Sequence, residues 1–108
     1  MKKWKVTILP DAETDIDELY VYIAKVLMEP VAAANLVVRI KKAIRSLEYM
    51  PERHRLYYDE PWHSKGLRVF PVGNFIVFFH IDIDTVFIDS VLYGGRDIEL
   101  ILGDRMPG

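Results

Sequence analysis

Arg96 is the side chain best placed in this sequence to hold an anion. It follows Tyr93-Gly94-Gly95, where an apolar strand gives way to a short helical tail. A guanidinium there presents a fork of donors that matches a phosphate or a carboxylate. The plainer alternative is an ion pair with Asp97 or Glu99 that only fixes the tail. The two glycines are expected to let the chain leave the strand with unusual dihedrals. They are no phosphate cradle, because the spacing and the following lysine of a P-loop are absent. A second set of cations, Arg53, His54, Arg55, His63, Lys65 and Arg68, is interleaved with Tyr57, Tyr58 and Trp62. Such a mixture suits phosphate contact and stacking on bases, and equally suits a solvated loop anchored by its aromatics.

Other chemistries are set aside on the same grounds. The chain has no cysteine, which excludes disulfides and thiolate metal sites. His54, His63 and His80 form no metal-binding pair at helical spacing. Asp82-Ile83-Asp84 lies where a hairpin must turn. No metal and no other cofactor is therefore expected. Ser46, Ser64 and Ser90 lack the Gly-x-Ser-x-Gly setting of an activated nucleophile.

The 108 residues suit a single domain spanning 1–108, about half apolar and about a quarter charged. The net charge of −2 conceals an asymmetry. Between Asp11 and Glu29 six acids (Asp11, Glu13, Asp15, Asp17, Glu18, Glu29) face Lys25 alone. Between Leu36 and Arg68 eight bases (Arg39, Lys41, Lys42, Arg45, Arg53, Arg55, Lys65, Arg68) face four acids (Glu48, Glu52, Asp59, Glu60). Two solvated helix faces of opposite sign account for most of this. The overall balance is too acidic for strong non-specific nucleic-acid binding. No stretch approaches a membrane span, and the apolar run after Met1–Lys5 stops at Pro10, too short for a signal sequence. The expected location is the cytoplasm.

The elements that must position these residues follow from periodicity. Lys5–Leu9 is a short strand ended by Pro10, which suits the first position of a helix. Ala12, Ile16, Leu19, Tyr20, Ile23 and Leu27 then recur at helical spacing, predicting a helix to about Met28. Pro30 opens a second, with Ala33, Leu36, Val37, Ile40, Ala43, Ile44 and Leu47 as its stripe, ending near Tyr49 before Pro51. Together they predict an antiparallel helical hairpin. Residues 51–66 read as a loop. Leu67–Pro71, Phe75–Ile81 and Val86–Tyr93 read as strands, and Ile98–Leu102 as a short helix closed by Gly103. Phe75–Ile81 is apolar on both alternating sets, so it is either a central strand covered on both faces or one with a face awaiting a partner; an exposed groove is expected beside it. The fold class is α+β: an N-terminal strand and a helical hairpin on one face of a small antiparallel-rich sheet, with a short C-terminal helix.

Four segments in register resemble one known family. Ile8-Leu9-Pro10-Asp11-Ala12-Glu13-x-Asp15-Ile16, Ser46-Leu47-x-x-Met50-Pro51, Gly66–Phe75 and Val91–Asp97 together resemble the RelE/ParE superfamily, the toxins of type II toxin–antitoxin modules. The resemblance covers nearly the whole chain and implies the fold already described. It implies a cognate antitoxin as partner in a hetero-oligomeric complex, and one of two weapons. Some members poison DNA gyrase by binding; others are metal-independent ribonucleases that cut mRNA on the ribosome. A nuclease here would use Arg68, His80, Tyr93 and Arg96 as catalytic groups, with Arg53, Arg55, His63 and Lys65 on the target. The arginine that nuclease members often carry on the central strand falls at Ile76, however, and their C-terminal tyrosine falls near Leu102. The gyrase-poison reading is therefore preferred, with the endonuclease as alternative and a non-toxic binding partner as third. A disordered antitoxin segment is expected to fold, as a helix or an added strand, onto a groove formed by Phe75, Val77, Phe79, Leu36 and Ile40.

Overall fold

Pro10 and Pro30 each open a helix in the computed structural model, which describes residues 1–106. Neither helix has a side-chain N-cap; Asp11 and Glu13 in the first turn of the first one complement its dipole instead. The chain runs β1 (Lys5–Ile8), α1 (Pro10–Val21), a π-helical turn (Tyr22–Val26), α2 (Pro30–Arg45), two 3₁₀ turns (Ser46–Glu48, Pro51–Arg53), β2 (Arg68–Val72), β3 (Phe75–Asp82), β4 (Thr85–Tyr93) and α3 (Ile98–Arg105). The first helix thus departs from a plain α-helix after Val21. Leu27 N–H reaches back to the Tyr22 carbonyl at 3.0 Å, and Met28 closes the turn in the left-handed region at φ 56°.

The strand order is β1-β4-β3-β2. β1 and β4 are parallel and the other two pairings antiparallel, so the sheet is mixed and antiparallel-rich. The helical hairpin covers one face, called near below. Ala12, Ile16 and Leu19 of α1, Ile40 and Ile44 of α2, and Leu47 pack there on Phe70, Val72, Val77, Phe79, Val86, Ile88 and Val91.

The opposite, far face is covered too, so of the two alternatives for β3 the one covered on both faces holds, and the exposed groove expected beside it is corrected. Leu102 of α3 and Tyr57, Trp62 and Leu67 of the long loop pack on Val69, Phe78 and Leu92, with Ile76, Ile98 and Ile101 at the margin. β3 is apolar on both sides because its own chain encloses both. α3 also runs past Gly103 to Arg105, longer than the sequence suggested. Asp97 caps it, accepting from Leu100 N–H at 3.2 Å.

Two irregularities govern where side chains point. Phe78 pairs with Ser90 and Phe79 with Ile88, so Asp89 is an extra residue in β4. β2 is an edge strand; Tyr57 N–H donates to Leu67 O at 2.7 Å and Val69 N–H to Arg55 O at 3.1 Å along its outer side. Pro71 stands at the next outward position and has no N–H.

Candidate functional site

Two hollows open beside the end of β4, one on each face, and Arg96 borders both. The near-face hollow, of about 660 Å³, lies between α1 with its π-helical turn and the ends of β3 and β4. Leu19, Ile23, Leu27, Phe75, Val91 and Tyr93 line it, with Asp15, Glu18 and Arg96 as its charges. Around it the hairpin tip exposes Tyr22, Val26, Leu27, Met28 and Val31. The far-face hollow, of about 350 Å³, is lined by Arg55, Tyr57, Tyr58, Val69, Ile76, Phe78 and the start of α3.

Gly94 and Gly95 bring Arg96 to this junction by close approach. Neither adopts a left-handed backbone, which corrects the expectation of unusual dihedrals. A Cβ on Gly95 would lie 2.6 Å from the Tyr93 ring, and one on Gly94 3.3 Å from the Asn74 carbonyl oxygen. Among the described residues Arg96 has no ion pair with Asp97 or Glu99. Those carboxylates hold α3 instead: Asp97 as its cap, and Glu99 as acceptor from Tyr57 and Tyr58 at 3.3 and 2.9 Å. Burial, with Glu99 beside it, pushes the Tyr57 hydroxyl pKa well up, so that hydroxyl stays a donor.

Of the four residues suggested for a nuclease, Tyr93 and Arg96 share the near-face hollow, and Arg68 and His80 stand apart from both hollows. Arg68 pairs with Phe79, a near-face residue, and donates to the carbonyls of Glu52 and His54 at 3.3 and 2.6 Å. It holds the 51–55 segment. His80 pairs with Phe87 on the far face, stacks on that ring at 5.2 Å, and has Nδ1 2.7 Å from Asp89 Oδ2. That hydrogen bond raises its pKa above the ordinary histidine value. Tyr93 pairs with Phe75 and meets its ring at 5.7 Å in the near-face hollow. Arg96 alone stands beside both hollows.

The supposed target contacts divide in the same way. Arg53 donates to the Tyr49 and Met50 carbonyls and to Ser46 Oγ, closing the end of the α2 segment. His63 Nδ1 lies 2.9 Å from the Tyr57 carbonyl oxygen. Lys65 lies exposed on the same loop, away from both hollows. Only Arg55 joins Arg96 at the far-face hollow, whose floor includes apolar Ile76. The expected antitoxin groove also needs correction. Val77, Phe79 and Ile40 are fully buried in the near-face core, because the hairpin already covers that side of β3. Phe75 remains accessible in the near-face hollow, and Leu36 is half-buried against the core.

Sequence reasoning missed the best-made ion pair. Asp15 Oδ2 accepts from Arg105 Nη1 at 2.7 Å and Oδ1 from Nη2 at 2.8 Å. Val91 N–H also donates to Oδ2 at 2.9 Å. The site exists because β1 stops at Ile8, with Leu9 N–H on Ile88 O as its last bond, leaving the edge of β4 beyond Asp89 without a strand. One signal was available: Asp15 sits three residues after Ala12 and four before Leu19, on the apolar stripe of α1.

Comparison with known proteins bears on all of this. A family model described as "ParE toxin of type II toxin-antitoxin system, parDE" matches residues 6–98. No curated protein matches the chain. Among solved structures it is similar to one titled as the chromosomal ParDE TA system from P. aeruginosa, with a TM-score of 0.71 and 19% identity, covering 86% of this chain and 98% of that one. It is also similar to one titled as the toxin–antitoxin complex RelBE2 from Mycobacterium tuberculosis, with a TM-score of 0.58 and 20% identity, covering 84% and 98%.

Proposed function

This chain belongs to the ParE toxin family of type II toxin–antitoxin systems, and on that premise we propose that it acts by binding its target, DNA gyrase, and not by cutting RNA. The observation that carries the reading is the dispersal of the catalytic candidates. Metal-free RNA cleavage needs a cation on the phosphate and an acid–base pair within reach of one substrate. Here Arg68 is committed to two carbonyls on the near face, Tyr93 also lies on the near face, and His80 is bonded to Asp89 on the far face. Ile76 stands in the far-face hollow where a nuclease would want charge.

The same premise supplies a cognate antitoxin, and the near-face hollow is the proposed seat. It combines an apolar lining with a continuous exposed apolar tip, the pattern expected for an amphipathic segment that folds on binding. The solved RelBE2 relative is itself titled a toxin–antitoxin complex. Expression alone should arrest growth, and co-expression with the product of an adjacent small reading frame should restore it. The weapon is tested by assaying gyrase supercoiling and ribosome-bound mRNA cleavage on one purified sample. Inhibited supercoiling with intact mRNA supports the proposal. Cleavage that disappears in Arg55→Ala or Arg96→Ala replaces it with the endonuclease.

A further inference from the structure

We infer that the Asp15–Arg105 pair couples the two faces of the sheet, so that a basic side chain entering the near-face hollow on a peptide segment releases α3 from the far face. The geometry is that of a strap around an edge. Asp15 is nearly fully buried and forms part of the near-face hollow. Arg105 ends α3, which packs on the opposite face. The guanidinium reaches the carboxylate past the strandless edge of β4, touching Ser90 Oγ at 3.0 Å on the way.

Exchange of partners is the only inexpensive way to open this contact. A buried carboxylate stripped of its cation is strongly disfavoured, whereas one cation replacing another leaves it paired. The hollow is suited to the exchange: Glu18 stands among its lining residues as a first contact for a cation, with Asp15 behind. Arg105 is already partly exposed and returns to water at little cost. α3 is poorly equipped to remain without it. At eight residues it is too short to be stable as an isolated helix. Its other attachments are Leu102 in the far core with Ile98 and Ile101 at the margin, Glu99 to the two tyrosines, Trp62 Nε1 to the Met106 carbonyl at 3.3 Å, and a looser 3.9 Å contact of Arg105 Nε with the exposed Asp11.

The coupling rests on the reading of the near-face hollow only for the identity of its natural occupant. Amide hydrogen exchange tests it residue by residue. Asp15→Asn keeps an acceptor for Val91 N–H and removes the charge. It should speed exchange in Ile98–Arg105 about tenfold or more while β3 amides keep their protection, as expected of a locally opening unit. Agmatine, a guanidinium on a four-carbon chain, should speed α3 exchange in the wild-type chain beyond matched sodium chloride, and should do nothing in Asp15→Asn. Acceleration of α3 and β3 together, or of neither, overturns the inference, as does agmatine indistinguishable from salt. In the antitoxin complex the α3 amides should also exchange faster. An antitoxin that protects α3 while agmatine frees it removes the proposed seat and leaves the coupling standing.

Discussion

The two faces of the sheet are closed by different physics. On the near face two helices and a 3₁₀ turn bury a continuous apolar cluster from Ala12 to Val91, so its stability scales with area removed from water. On the far face one short helix and an irregular loop cover a smaller cluster. They are fixed by directed contacts: Glu99 to two tyrosines, Trp62 to a carbonyl, Arg105 to Asp15. Area-based closure resists local opening, because no single contact governs it. Closure by a few directed bonds makes a region that opens as a unit and can be switched. The molecule thus pairs a permanent face with a conditional one.

The largest effect expected from this contrast is at Phe79. Phe79→Ala empties a fully buried near-face site and should cost about 3–5 kcal/mol of global stability in urea unfolding; a loss below about 1 kcal/mol would end the claim that this face carries the fold. Leu102→Ala comes second. It removes an equally buried side chain, but α3 can part before the rest, so the global loss should stay near the lower end, about 2 kcal/mol. Its main signature should be faster exchange in α3.

Third is a pair of opposite pH slopes, one from each face. His54 stacks on Phe70 and meets Phe79 edge-on. Its Nε2 is buried without a hydrogen-bond partner, and burial, with Arg53 and Arg68 nearby, lowers its pKa. The folded chain therefore prefers it neutral: the stability linked to it is full above about pH 6.5 and is lost as pH falls through its lowered folded value. His80 is raised by Asp89, so its contribution is full below about pH 6.5 and is lost as pH rises through its folded value. Urea midpoints from pH 5 to 8 should show His54→Phe flattening the acid limb and His80→Gln flattening the alkaline one. The same slope in both variants would dissolve the contrast. The smallest effect belongs to neither face: Lys3→Ala breaks an exposed pair with Glu48 at 3.5 Å and should change stability by about 0.5 kcal/mol or less.

What the sequence made legible was local. Helical stripes after Pro10 and Pro30, the loop after Pro51 and the three later strands can each be read from neighbours within a few residues, and the hairpin-on-sheet architecture follows from their order. The closure of the far face is not local. Nothing within Ile98–Arg105 reveals that Leu102 completes a core with Tyr57 and Phe78, more than twenty residues away. The dispersal of the supposed nuclease groups was hidden by one residue. Strict alternation from Val86 and Ile88 would put Tyr93 on the far face, and the bulge at Asp89 returns it to the near one with Val91 and Phe75. A period of two cannot announce its own interruption. Arg53 and Arg68 looked like ligand contacts because isolated arginines in a loop region do; their acceptors are carbonyls brought close only by folding.

The outer edge of β2 bears on how the chain behaves in company. Arg55 and Tyr57 occupy that edge as far as Val69, and at Pro71, the next outward position, a docking strand would meet a carbonyl and no donor. A ladder growing from one copy to another therefore stalls at its next rung. Crowded copies find no template on this side of the sheet, and any shared ladder would have to start from the opposite edge, at β1. A strand-forming partner must likewise look to the other side, at β1 or the stretch of β4 beyond Asp89 that β1 leaves uncovered.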